Sequence, residues 1–446
     1  MSTRLRASRD GGHAACTAVR WFPILAMIAF GTMLNYLDRT VLGIAAPSLT
    51  KDLGLSAAEM GIAFSAFSWS YALLQIPGGI ALDRFGTRAT YFVALFFWSA
   101  FTAAMGAVRS LAGLVLTRIG VGTFEAPCFP ANSRILASWF PQHERARANS
   151  IYSVGQYAGV GFLSVPLFWI TQAFGWRGLF LIVGVIGILF AFLWRLVYRD
   201  PSQSAAVSAE ELRYIEAGGG GEYRGQPLRF EWRQVRELLR HRQVVGASIG
   251  QFGGNSTQVF FLTWFPTYLV SARGMTFLQA GASAALPYIA ASAGVLFGGF
   301  LSDFLLKRSG SANWARKLPI VSGMLLASTI VAANYVPVSA NGLVIAILCL
   351  AFFGQGMTNL GWTVIADIAP KPLIGLTGGI FNLSANLAGI VTPIVIGVFF
   401  GMTGSFVTPL IYIAVVALVG AFSYSVILGD IHRLEVAAPS SRLSPT

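Results

Sequence analysis

The chain has 446 residues, of which 55% are hydrophobic and only 11% charged, and it carries a formal net charge of +13. A water-soluble chain has about 25% charged residues, so an ordinary soluble surface is excluded along nearly the whole length. Apolar runs of about 20 residues, long enough to cross a bilayer as helix, recur from Trp21 almost to the C-terminus, whereas the short alternating segments of a closed barrel do not.

In chain order, residues 1–20 form a basic tail. The apolar run that follows is too long for a signal-peptide core and lacks a small-residue cleavage site, so the tail is expected to be retained in the cytoplasm. Breaks at charged and turn-rich stretches predict twelve spans, at about 21–47, 58–82, 89–107, 111–139, 148–172, 178–198, 243–271, 278–304, 317–337, 341–366, 372–401 and 405–428. The reading is an all-α membrane protein. Residues 21–198 make an N-terminal six-helix bundle, 199–242 a cytoplasmic linker, 243–428 a C-terminal six-helix bundle and 429–446 a cytoplasmic tail. The linker holds the run Gly218–Gly221 and a mixed-charge stretch from Leu228 to Arg242 that suits a surface helix. An internal repeat supports the division. Gly79-Ile-Ala-Leu-Asp83 after the second span is echoed by Gly299-Phe-Leu-Ser-Asp303 after the eighth, making the two bundles pseudo-symmetric.

With the N-terminus inside, Arg84, Arg88, Arg145, Arg147, the Arg-rich stretch 195–242, Lys307, Arg308, Arg316, Lys317, Lys371 and Arg433 fall in the cytoplasm. Only Lys51, Arg109, Arg177 and Arg273 remain outside, the asymmetry of the positive-inside rule. Because the basic residues are spread over short loops, no nucleic-acid partner is expected. Cys16, Cys128 and Cys349 lie too far apart in sequence to suggest a disulfide framework or a metal site. His13, His143, His241 and His432 all fall in tails or inner loops, so no metal site and no imidazole relay is expected in the membrane. Gly155 and Gly159 form a G-x-x-x-G of the kind used in close helix packing.

Charges within the membrane carry the most information, because each costs on the order of 2.5–3.5 kcal/mol to insert and calls for a partner or a hydrated cavity. Four stand out: Asp38 and Arg39 on the first span, Arg118 and Glu125 on the fourth. Two helical turns separate Arg118 from Glu125, placing them on one face about 10 Å apart, and Asn35, Asp38 and Arg39 share a face of the first helix. The bland reading is an ion-pair network that only locks the two helices together. The functional reading is proton coupling, since the charged form of a carboxylate is costly in a poorly hydrated cavity until its cation partner is beside it. Polar residues on other spans could line the same cavity. They are Tyr71 and Gln75, then Gln251, Asn255 and Gln258 as one stripe, Asn359 and Trp362, and Asn382 and Asn386. Their alternative role is hydrogen bonding between helices.

The loop Gly79-Ile-Ala-Leu-Asp83-Arg84-Phe-Gly86-Thr-Arg88 resembles the G-x-L-x-D-R-x-G-x-R signature of the major facilitator superfamily, with Ile80 and Ala81 as departures. The fourth span, from Leu116-Thr-Arg118 through Glu125-Ala-Pro127-Cys-Phe-Pro130 to Ser138-Trp139-Phe140-Pro141, resembles the anion:cation symporter family. So do Asn35-Tyr36-Leu-Asp38-Arg39 and Phe261-Leu-Thr-Trp264-Phe-Pro266-Thr-Tyr268. Within that family the nearest likeness is to bacterial glucarate, galactarate and galactonate carriers. The resemblance implies proton-coupled import of a hexarate or an aldonate by alternating access, with protons as the coupling ion, no other cofactor, and a monomer in the inner membrane. It implies Asp38 and Glu125 as the protonatable pair, Arg39 as the carboxylate anchor and Arg118 as a modulator of Glu125. It further implies Tyr71, Gln251, Trp362 and Asn382 as substrate contacts, with Asp83, Arg84 and Arg88 in conformational gating. Carriage of another organic anion, an aromatic carboxylate or phosphate, is the alternative. An enzyme would need a clustered nucleophile and base or an HExxH-type metal set, and none is present in the sequence. A solute sensor would need a signalling extension. A drug exporter for apolar cations would not favour Arg39 in its cavity.

The loop asymmetry makes topology testable. Single cysteines placed around Gly220 are expected to resist an impermeant thiol reagent applied to intact cells and to react once the cells are opened. Labelling from outside would reverse the orientation.

Overall fold

The computed structural model describes residues 20–221, 232–370 and 373–434, apart from the side chains of Ile76, His143, Ala146, Ser150, Ser153, Val154, Gly155 and Ala158. Cys16, His13, Lys371, most of the two tails and residues 222–231 of the linker lie outside this range.

Helix α1 is Leu25–Leu53, α2 Ala57–Phe85 and α3 Thr87–Met105. Helix α4 is Leu111–Glu125, continued after a break by Cys128–Trp139. The long segment Gln142–Val197 holds α5 and α6, which meet where Gly175 adopts φ 69°, a left-handed value that glycine accepts without a Cβ clash. Two short helices follow in the linker, α7 Ala209–Ala217 and α8 Trp232–Leu238. Helix α9 is Arg242–Thr263 and runs on through Tyr268–Ala272. Helix α10 is Phe277–Ser309, α11 Ala312–Ser328, α12 Asn341–Met357 with the continuation Gly361–Ile368, α13 Ile374–Thr403 and α14 Val407–Phe422. The described residues therefore hold twelve membrane-length helices and two surface helices, and six helical stretches, one of them running across α5 and α6, are long and apolar enough to cross a membrane on length and composition alone.

Three boundaries differ from the sequence reading. Helix α1 passes straight through Pro47 and ends at a left-handed Gly54, so Lys51 lies in its last turn rather than in a loop. In α4 the expected continuous span is interrupted around Pro127, whose ring removes a backbone donor. The linker's mixed-charge stretch is helical only over Trp232–Leu238 among its described residues, while α7, which the sequence reading left as linker, starts from a Ser208 cap.

Helices α1 to α6 pack on one another, as do α9 to α14, and the two groups meet along α2 against α13 and α5 against α10. With lipid on the outside there is little hydrophobic gain between helices, so close approach of backbones supplies the packing. Glycines permit it. A Cβ on Gly122 of α4 would stand 2.2 Å from the Phe67 carbonyl of α2, and one on Gly294 of α10 only 2.0 Å from the Phe353 carbonyl of α12.

The junction between the groups is tight at one end and open at the other. At the first end a Cβ on Gly61 would lie 2.6 Å from the Pro393 carbonyl and one on Gly397 2.5 Å from the Ala57 carbonyl, while Phe64 and Trp264 meet edge to face at 5.3 Å. At the second end Gly79, Gly299, Gly375 and Gly379 all face open space. A salt-bridge knot ties α7 to the first group at this open end. The buried Arg20 pairs with Glu144 at 3.2 Å and Glu211 at 3.4 Å, and burial raises the Glu211 carboxyl above its usual range against the pull of Arg20.

Gly122→Ala is expected to lower stability by about 1–3 kcal/mol, because the added methyl must push α4 off α2. Gly342→Ala, at a position facing open space, should be close to neutral. Thermal melts of the two purified variants in detergent check the contrast.

Candidate functional site

A cavity of about 990 Å³ lies between the two groups of helices and opens toward the end that carries Asp83. All nine polar residues singled out on α2, α9, α12 and α13 line it: Tyr71, Gln75, Gln251, Asn255, Gln258, Asn359, Trp362, Asn382 and Asn386. A polar stripe on an apolar helix needs a wet or polar face, and the cavity provides one.

The charged residues divide between the cavity wall and the protein behind it. Arg39 lines the cavity and is 17% exposed, whereas Glu125 is fully buried behind it. Arg39 Nε donates to Glu125 Oε2 at 3.2 Å, with Nη2 also 3.2 Å from that oxygen. Both guanidinium contacts go to one oxygen, and Glu125 Oε1 has no protein partner. Aromatic rings hold the guanidinium in place: its carbon lies 4.7 Å from the Tyr71 ring centre, 4.8 Å from Phe67 and 5.2 Å from Tyr36, within the range of cation–π attraction. Arg118 also lines the cavity. It too sits over Phe67, at 5.1 Å, and donates from Nη1 to the Asp38 carbonyl at 3.4 Å. Asp38 itself is buried and off the cavity surface.

The faces expected to meet do meet, with a specific pairing. Arg39 reaches across from α1 to Glu125 on α4, while Arg118, expected beside Glu125, forms an ion pair with neither carboxylate and holds backbone instead. On the opposite wall the amides differ in their commitments. Asn255 donates to the Ala385 carbonyl at 2.6 Å and so ties α9 to α13, and Asn386 bonds within its own helix to the Asn382 carbonyl. Trp362 packs edge-on against Phe381 at 5.0 Å, leaving much of its indole facing the cavity.

Asp83, Arg84 and Arg88 lie away from the cavity. Asp83, 70% exposed, accepts from Arg134 of α4 at 2.7 Å, and Arg88 donates to the Arg195 carbonyl at the end of α6. Arg84 rests over the Phe85 ring. The repeat of this loop carries a matching cation: Arg316 lies 3.9 Å from Asp303 and 3.1 Å from Asp367. Arg134 and Asp367 were not singled out in the sequence. Nor were Tyr36, Gln156, Tyr157 and Gln355, which also line the cavity. Tyr36 stands inside the Asn35–Arg39 motif and could have been read there; the adjacent Gln156 and Tyr157, and Gln355, form no recurring stripe in their apolar stretches. No group of three or more metal-ligating side chains occurs among the described residues.

The Major Facilitator Superfamily model matches residues 28–393. Among curated proteins the chain is 45% identical over 426 residues to a probable galactarate/D-glucarate transporter of Escherichia coli (strain K12), covering 93% of this chain and 94% of that one. It is 41% identical over 427 residues to a D-galactonate transporter of Escherichia coli O6:H1, covering 95% and 99%. Among solved structures, a bacterial homologue of the human lysosomal transporter Spinster, in an inward-facing and unoccupied conformation, superposes with a TM-score of 0.72 at 20% identity, over 91% of this chain and 96% of that one. A D-xylose–proton symporter does so with a TM-score of 0.69 at 15% identity, over 92% and 98%, which shows the shared fold.

The pairing geometry predicts a stability cycle. Arg39→Ala strands the Glu125 carboxylate and should cost about 3–5 kcal/mol, whereas combining it with Glu125→Gln should recover most of that loss. Melting curves of the two single variants and the double variant give the coupling; simple additivity would mean that the pair is not a bond in the protein.

Proposed function

Because this chain belongs to the major facilitator superfamily, a family of transporters rather than enzymes, we propose that it is a proton-coupled symporter that imports a sugar acid across the inner membrane. The substrate class is a hexarate such as glucarate or galactarate, or an aldonate such as galactonate. The carrying observation is the Arg39–Glu125 pair, a cavity-facing guanidinium whose only carboxylate partner among the described residues is a fully buried acid. A substrate carboxylate arriving at Arg39 competes with Glu125 for the same fork of donors. If the substrate takes the guanidinium, Glu125 is left as a buried carboxylate without its cation, and taking up a proton removes that cost. Loading of the anion and protonation of Glu125 are then one coupled event. Asp38, linked to α4 through its carbonyl and Arg118, is the second proton site.

The hydroxylated chain of a sugar acid meets Tyr71 on one wall and Gln251, Trp362 and Asn382 on the other. Likeness to the galactarate/D-glucarate and D-galactonate transporters supports this class over aromatic carboxylates or phosphate. The basic-loop asymmetry supports a cytoplasmic location for both termini and the linker, an orientation that turns the open end of the cavity inward. Asp83–Arg134 and the Arg316 cluster sit at that end, where they part or re-form as the halves rock.

In proteoliposomes, galactarate uptake should be driven by an inward proton gradient and blocked by glucarate or galactonate, but not by glucose, which would leave the Arg39 cation unpaired. Glu125→Gln, a mimic of the protonated acid, should abolish gradient-driven accumulation while retaining part of the substrate exchange. Glucose competing as well as the acids would end the sugar-acid reading, and full accumulation by Glu125→Gln would remove Glu125 from the coupling.

A further inference from the structure

Behind the cavity, α1, α3 and α4 enclose a seam of polar groups that the ion pair does not use. Antiparallel contacts set its register. Asn132 of α4 donates to Thr32 of α1 at 2.9 Å, and Arg39 meets Glu125 two turns further along α1, so Asn35 falls between them on the same face. On α3, Trp98 and Thr102 share a face one turn apart and lie beside the Asp38 carboxyl. Asn35, Glu125, Trp98 and Thr102 are fully buried, and Asp38 and Arg118 nearly so. Yet Asn35 Oδ1 and Nδ2, Arg118 Nε and Glu125 Oε1 have no protein partner, and Asp38 Oδ1, Trp98 Nε1 and Thr102 Oγ1, though near enough to one another to interact, are not held at hydrogen-bonding geometry. Buried polar atoms in folded proteins are nearly always satisfied, so a cluster of them across three helices points to bridging water. The set is balanced, with Asn35 Nδ2, Trp98, Thr102 and Arg118 able to donate and Asn35 Oδ1, Asp38, Glu125 and Thr102 able to accept.

We propose that this seam is a buried water site that carries the proton between Glu125 and Asp38, with Thr102, Trp98 and Asn35 as the positioning residues that hold the water. The proposal rests on the proton-coupled reading above. The Glu125 carboxyl gives its proton to the water, and the water gives one of its own to the Asp38 carboxylate. The O–H bond at Glu125 breaks and one forms at Asp38, while the water oxygen gains one O–H bond and loses another, so the water is regenerated. Charge therefore moves between two acids without passing through the substrate cavity, which Asp38 does not reach. The charged and titratable groups near the path are Arg39 and Arg118, the cavity-lining Tyr36 and Tyr71 phenols, and the mutually bonded Cys128 thiol and Tyr91 phenol, which do not line the cavity.

Thr102→Val removes the hydroxyl with almost no change in shape, and Thr102→Ser keeps it. In proteoliposomes, Thr102→Val is expected to lower proton-driven galactarate accumulation about a hundredfold and to shift its pH profile, while galactarate counterflow at equal pH falls far less. Thr102→Ser should restore the accumulation. Wild-type accumulation and pH profile in Thr102→Val would overturn the water path, and so would a parallel loss of accumulation and counterflow that Thr102→Ser does not rescue. Accumulation by the wild type that follows a sodium gradient and ignores the proton gradient would instead sink the proton-coupled reading on which the proposal stands.

Discussion

A charge in the low-dielectric middle of a membrane must be paired, and in this protein that requirement falls on Arg39 and Glu125. The pair joins α1 to α4 at 3.2 Å, with the cation on the cavity wall and the acid buried. Three aromatic rings leave the guanidinium little freedom other than to face Glu125 or the cavity. Much of the local packing serves that placement. Arg39 and Arg118 both rest over Phe67, and the close approach of α4 to the Phe67 backbone depends on Gly122 having no side chain. A buried ion pair adds little net stability over well-packed apolar groups. Its retention in a cavity of this size is better understood through what the cation can exchange for than through what it holds together.

Twelve spans and the two-bundle plan were legible because hydropathy and basic-loop bias respond to the membrane itself, a constraint that acts on composition and needs no knowledge of contacts. The repeat of Gly79–Asp83 in Gly299–Asp303 was legible for the same reason: both stretches occupy the same place in their bundle, and each ends in an exposed acid beside an arginine. Breaks inside spans were harder to read. Pro47 leaves α1 continuous whereas α4 is interrupted around Pro127, a difference that lies in what surrounds each ring and not in the residue type.

At the site, every polar residue picked out on α2, α9, α12 and α13 lines the cavity. Pairing was not legible. Spacing placed Arg118 and Glu125 on one helix face, but which arginine bonds Glu125 depends on how far α1 is turned about its axis, and that is fixed by contacts such as Asn132 to Thr32. Asn255 shows the same limit. On sequence it is one of three equivalent stripe residues, and in the fold its amide is committed to the Ala385 carbonyl.

The two ends of the bundle interface differ in chemistry as well as in width. The closed end is sealed by backbone-to-backbone contacts at Gly61 and Gly397 and by the Phe64–Trp264 edge contact, all neutral and short-ranged. Such contacts lose about a quarter to a half of their attraction over a gap of about 0.5–1 Å, so a small rocking motion weakens them together. At the open end, ion pairs join helices within each group: Asp83 with Arg134 in the first, Arg316 with Asp303 and Asp367 in the second. Asp83 and Asp303 are 70% and 73% exposed, so water screens their pairs and lets either acid change partners at little cost. Neutral packing that weakens over a short separation at one end, with adaptable charge pairs at the other, is a physical basis for two discrete arrangements of the same two bundles around one buried ion pair.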